Sequence, residues 1–180
     1  MNAALARLIQ LVPPPPPQER SKDWEAVARR LGTDLPADYK ELIGTYGGGC
    51  FDNYLWLLEP DSVNKDNDLV LLTEERDEAF EMLWEMGEEK PAELTEEGSR
   101  LIPWATTDNG EFLYWLVRPG QEPDGWTVMV NEGRGEAWEH FRMRCTEFLA
   151  ASLAGEVQSE VLWSEYPAQV HSFRPARKSR

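Results

Sequence analysis

Four side chains are the first places to look for acid–base, nucleophilic or zinc chemistry: Cys50, Cys145, His140 and His171. They are scattered. No CxxC, HxH or HExxH spacing joins them, so they do not read as a zinc set. Two cysteines are too few for a disulfide framework. No G-x-S-x-G nucleophile elbow occurs, and no base is paired in sequence with a serine or cysteine. Acidic side chains number 33, so no single carboxylate pair stands out as a glycosidase dyad. The polar loop 59–68 carries Asp61, Asp66 and Asp68, but lacks the glycine and the distal glutamate of a calcium-binding EF-hand. Gly47, Gly48 and Gly49 invite a phosphate-cradle reading, yet they follow a helix pattern where a phosphate loop precedes one, and no lysine stands behind them. The residues therefore predict no cofactor, no metal and no catalytic group.

The elements that would position any site are legible in the hydrophobic periodicity. Residues 2–11 read as a short helix with Leu5, Leu8, Ile9 and Val12 on one side, stopped by prolines 13–17. The proline run reads as a stiff spacer. Residues 21–31 read as a second helix capped by Ser21, with Trp24, Val27, Ala28 and Leu31 inward and Gly32 ending it. The stretch 35–60 then gives a helix with Leu35, Tyr39, Leu42, Ile43 and Tyr46 on one face, opened by Pro36 and Asp38. The glycines turn it into a buried strand at residues 54–58.

Residues 69–87 read as a helix with Leu69, Leu72, Ala79, Phe80, Leu83 and Trp84 inward. Its other side is acidic: residues 74–97 hold eleven acidic side chains against Arg76 and Lys90, a formal charge of −9 in 24 residues. Two readings of this segment stand, a solvated face with an acidic loop and a docking surface for a basic partner. In residues 101–117 two apolar runs flank Asp108, Asn109 and Gly110, a hairpin signal. Strands at 126–130 and 136–141 extend the meander, and residues 146–155 close it with a helix. Residues 161–166 could add a strand. The terminal residues 174–180 carry four basic groups and read as a disordered tail folding back on acidic surface. Three units result: an N-terminal helix and proline linker (1–20), an α+β domain (21–155) and a C-terminal extension (156–180).

The net charge is −15, with 41% hydrophobic residues and eight tryptophans in 180 positions. That composition suits one packed domain. A field of this sign repels nucleic-acid phosphates and anionic lipid heads and attracts basic proteins, although acidity also serves solubility alone. Residues 1–12 are too short to span a bilayer and weak as a signal peptide. The expectation is a cytoplasmic protein that touches neither nucleic acid nor membrane.

Several of these residues resemble the SUKH superfamily, which includes the Smi1-type proteins. The resemblance runs through Trp24, Glu25, Leu31 and Gly32, then Leu35, Pro36, Asp38, Tyr39, Leu42 and Ile43, then Gly47, Gly48 and Gly49. Ile102-Pro103-Trp104, Asn109-Gly110-Glu111 and Tyr114-Trp115 resemble the family's central hairpin, and Phe141 with Phe148-Leu149 its closing strand and helix. It covers about residues 22–155; the proline run and residues 156–180 fall outside it. The resemblance implies an α+β fold, a bent and mostly antiparallel sheet with helices packed against it. Bacterial members are chiefly immunity proteins of polymorphic toxin systems that neutralise a toxin by direct binding. Eukaryotic relatives are interaction modules in cell-wall regulation and signalling. No catalytic motif carries over. The expected function is a non-enzymatic protein-binding module whose partner is a cognate toxin, with an acidic inhibitor suited to a basic, nucleic-acid-targeting one. Loop residues Asp52, Asn53, Tyr54, Asp61, Asp66, Asp108 and Asn109 are the candidate partner contacts, with Tyr54 as anchor if exposed. Two other classes stay open. A small-ligand or peptide receptor, in cell-wall or signalling regulation, requires an enclosed and mostly apolar pocket. A hydrolase requires a cleft with convergent carboxylates and a shifted pKa.

Overall fold

The structure is a computed structural model and describes residues 1–19 and 21–178. Three short helices come first: α1 (Ala3–Leu11), α2 (Trp24–Leu31) and α3 (Ala37–Tyr46). Strands β1 (Gly49–Phe51) and β2 (Leu55–Leu57) lead to the long helix α4 (Leu69–Glu85). The meander β3 (Arg100–Thr107), β4 (Phe112–Val117), β5 (Thr127–Asn131) and β6 (Trp138–Phe141) follows. Helix α5 (Cys145–Leu153) and strand β7 (Phe173–Pro175) complete the chain. The strands form one antiparallel sheet in the order β6-β5-β4-β3-β2-β1-β7, as the α+β expectation requires.

Strand β4 shows why both faces of the sheet must be covered. Its run FLYWLV is apolar without alternation. Leu113 and Trp115 enter the main core, while Tyr114 and Leu116 enter a second cluster on the opposite face. Helices α1, α3 and α5 pack together on the main-core side. Helix α4 serves both clusters. Leu69, Val70 and Leu72 in its first turns belong to the main core, and Phe80, Leu83 and Trp84 in its last turns cover Leu101, Tyr114, Leu116 and Met129.

Helix α3 turns one fully enclosed face to the core. Tyr39, Leu42, Ile43 and Tyr46 are at most 1% exposed. Both tyrosine hydroxyls donate across the core, Tyr39 to the Leu58 carbonyl at 2.6 Å and Tyr46 to the Val12 carbonyl at 2.6 Å. Pro36, at the N-cap, offers no side-chain acceptor; Asp124, from the loop between β4 and β5, accepts from Ala37 N at 2.8 Å in its place. Buried Asp38 does the same for α5, accepting from Thr146 N at 3.2 Å and Cys145 Sγ at 3.4 Å.

Two local expectations are corrected. Helix α2 is capped by Asp23, which accepts from Ala26 N, and not by Ser21. Residues 161–166 form no strand. Three of their N–H groups go to side chains, with Ser159 Oγ taking Val161 and Leu162 and Tyr54 Oη taking Trp163, and Tyr166 N turns back to the Trp163 carbonyl. The added strand is β7, paired to β1 in the register Gly49↔Pro175. Arg174 at the start of the expected basic tail lies in that strand with its guanidinium 5.3 Å from the Trp56 ring centre, while Ser179 and Arg180 lie outside the described residues. Helix α1 buries Leu5 and Leu8 in the main core, and Val12 just after it joins them.

Gly49 is a close-approach glycine. A Cβ there would lie 2.4 Å from the Arg174 carbonyl oxygen and 2.5 Å from the Phe173 ring. Gly44, inside α3, faces open space. Gly49→Ala should therefore lower stability by about 2 kcal/mol through overpacking, and Gly44→Ala should raise it by about 0.5–1 kcal/mol through helix propensity. Urea unfolding of the two variants checks the pair, and equal effects would contradict the close approach of β7.

Candidate functional site

The groups suited to chemistry are engaged elsewhere. Cys145 is fully buried against Asp38, and burial drives its thiol well above the usual range. Burial likewise pushes the Cys50 thiol up to about 11. His171 Nδ1 sits 2.9 Å from Asp52 Oδ2. His140 Nε2 lies 2.7 Å from Thr127 Oγ1, with Glu93 3.7 Å from its other nitrogen. No group of three or more potential metal ligands occurs among the described residues. The glycine turn does not cradle an anion. Gly47 closes α3 by donating to the Ile43 carbonyl, and a Cβ on Gly48 would meet the Glu59 side chain at 2.8 Å. That carboxylate is itself paired with Lys22 at 3.1 Å.

The candidate contacts divide into two ends of the sheet. Asp52, Asn53 and Tyr54 precede β2, and Asp108 and Asn109 turn β3 into β4; Asp108 N donates to the Tyr54 carbonyl at 3.1 Å, so these two turns adjoin. The turn at Gly133 packs beside them, close to the Gly110 carbonyl. Asp61 and Asp66 follow β2 and lie at its other end, both exposed. The seven residues are thus not one surface.

Two of them are interior. Asp52 has a fully buried carboxylate that accepts from Ala168 N, Ser172 N and His171 Nδ1 at 2.9–3.0 Å. Tyr54 is 2% exposed. Its hydroxyl donates to Glu111 Oε1 at 3.0 Å and accepts from Trp163 N at 2.9 Å, and its ring lies against Trp163 and Tyr166. Burial pushes this phenol up to about 12. Tyr54 is therefore not an exposed anchor. Both residues hold the C-terminal extension to the turn end of the sheet. Asn53 and Asn109 remain exposed there, as does Asp108, whose Oδ1 accepts from Trp56 Nε1 at 2.8 Å.

The acidic helix face is confirmed as surface. Glu74, Glu75, Glu78, Glu81 and Glu85 of α4 are exposed, and so are Met82 at 63% and Met86 at 80%. Beside this face, between α4 and the start of β3, lies an open cleft of about 260 Å3. Its walls include Phe80, Trp84 and Leu94 with Asp77, Glu81 and Arg100. Arg100 pairs with Asp77 at 3.2 Å and donates to the Leu31 carbonyl at 2.6 Å. Burial raises the Asp77 carboxyl above its ordinary value, against the opposing pull of Arg100. Asp77 and Glu81 project from one helix, so they do not flank a bond from opposite sides as a hydrolytic dyad must. Sequence reading found the acidic face but not the cleft, whose other wall comes from residues 94–101.

Two outcomes follow from this geometry. Asp52→Ala leaves three donors without their acceptor and should cost about 3 kcal/mol, with loss of amide-exchange protection at Ala168 and Ser172; unchanged protection would show that other contacts hold the extension. His140 titrates below 6.5 in the fold because burial disfavours its charged form, an effect that Arg118 and Arg142 reinforce and Glu93 opposes. The unfolded chain then binds the extra proton first, so this contribution is present above pH 6.5 and is lost as pH falls through the window below it. His140→Gln should flatten that part of the pH–stability curve, read by urea titrations between about pH 7.5 and 5.5.

No curated protein and no solved structure matches the chain significantly. A family model described as SUKH_6, SMI1-KNR4 cell-wall, matches residues 21–149. The match begins just before α2, ends within α5 and takes in the glycine turn, most of the main core, the second cluster and the acidic helix. With most of its length so covered and an antiparallel α+β sheet of the expected kind, the chain belongs to the SUKH family.

Proposed function

We propose that this chain is a non-enzymatic protein-binding module, an immunity protein that neutralises a cognate toxin by direct binding in the cytoplasm. The observation that carries the reading is the placement of its acidity on a SUKH-family scaffold. Residues 74–97, of formal charge −9, put an exposed acidic helix face beside exposed Met82 and Met86. Like charge at that density opposes self-association of the face and favours encounter with a basic surface, the kind carried by toxins that act on nucleic acid. The engagement of His140, His171, Cys50 and Cys145 in internal contacts supports a role in binding over one in catalysis. Asn53, Asp61, Asp66, Asp108 and Asn109 are exposed and stay among the candidate contacts. No helix among the described residues is long and apolar enough to cross a membrane.

Co-expression with a toxin encoded beside its own gene should restore growth. The purified pair should bind with a Kd on the order of nanomolar and lose affinity at least about tenfold between roughly 0.1 and 0.5 M salt. Absence of both rescue and binding with every adjacent toxin would sink the immunity reading.

A further inference from the structure

The acidic face continues into a built concavity. The cleft between α4 and β3 shares Lys90 with a second open hollow of about 390 Å3, which runs past Glu89, Glu93 and Glu136 to Trp138. Trp84 lines the first hollow and Trp138 the second, and both rings contact Phe80, with centroids 5.3 and 5.9 Å away. The concavity is thus an aromatic surface bordered by carboxylates.

Two observations define what fits it. The rings already accept cations: Lys90 Nζ lies 5.8 Å from the Trp84 centre, and the Arg76 guanidinium lies 5.0 and 4.8 Å from Phe80 and Phe112. The bordering charge is acidic in excess: Asp77, Glu81, Glu89, Glu93 and Glu136 line the two hollows against Lys90 and Arg100, and among the described residues Glu81, Glu89 and Glu136 form no ion pair. An anionic ligand would meet the carboxylates, and an apolar one would bury them unpaired. A guanidinium offers a flat cation for the ring faces and several donors for the carboxylates.

We infer that the joined hollows are the docking site for an arginine-bearing basic segment of a protein partner, with the guanidinium laid against Trp84 or Trp138. The inference rests on the protein-binding reading above and names the surface that performs it. Lys90 occupies a ring face in the free protein and moves aside when the partner's arginine arrives.

A short peptide of alternating arginine and glycine is the probe, and a peptide with citrulline in place of arginine is the control. Titration should shift the indole N–H resonances of Trp84 and Trp138, and the citrulline peptide should not. Glu81→Gln combined with Glu89→Gln, both at exposed positions, should weaken the probe by roughly five- to tenfold while leaving the fold intact. Shifts confined to Trp56 and the turn residues Asn53 and Asn109, or affinity unchanged in the double variant, would overturn the assignment. The two readings fail separately. Probe binding here without rescue from any toxin removes the immunity reading and leaves the docking site, whereas toxin binding that survives the double variant removes the site and leaves the immunity reading.

Discussion

One face of helix α3 lies so deep that the polar groups on it must be met by other parts of the chain, and the fold is organised around meeting them. Its tyrosine hydroxyls reach the carbonyls of Val12 and Leu58, tying the segment after α1 and the end of β2 to one helix. Its free N-terminal N–H is met by Asp124 from the loop between β4 and β5, and its own Asp38 meets that of α5. A buried donor or acceptor left alone costs about 1–3 kcal/mol, so the buried pairings of Tyr39, Tyr46 and Asp38 add to the apolar contacts in holding their segments in place. The proline-linked first helix is consequently part of the same packed body, with Leu5 and Leu8 in the main core.

What could be read in the sequence was whatever is written locally. The face of α3, the inner side of α4, the Asp108-Asn109-Gly110 hairpin and the closing helix all follow from spacing over a few residues. The cap of α2 was misplaced by two positions because Ser21 and Asp23 are both good caps and only the geometry chooses. The interior roles of Asp52 and Tyr54 were out of reach: their partners are 57 to 120 positions away, most of them in a C-terminal segment with little periodicity. The cleft was hidden for the same reason, since α4 supplies one wall and residues 94–101 the other. One signal for the second cluster was present. The unbroken apolar run of β4 says that both sheet faces are covered, and so points to a layer beyond the main core.

The acidity of the chain has two populations with different physics. Asp38, Asp52, Asp68 and Glu111 are each at most 7% exposed, and each accepts hydrogen bonds from groups inside the protein. They fix caps, turns and the C-terminal extension. The carboxylates of α4 and the loop after it are mostly exposed, and few are paired. Net charge alone merges the two. Only the second population sets the field that an approaching molecule meets, and it is concentrated on one side of the sheet, over the aromatic cluster of Phe80, Trp84 and Trp138.

Strand β7 gives the molecule a particular order of assembly. The outer edge of β1 is covered by residues 173–175, which leave the ribosome more than a hundred residues after β1 itself. The Asp52 carboxylate waits equally long for Ala168, His171 and Ser172. Through most of synthesis the nascent chain therefore carries an open strand edge beside an unpaired acid. An open edge is a template for pairing with another chain. The unpaired charge keeps that edge hydrated, and so guards it against the wrong neighbour until the right one arrives.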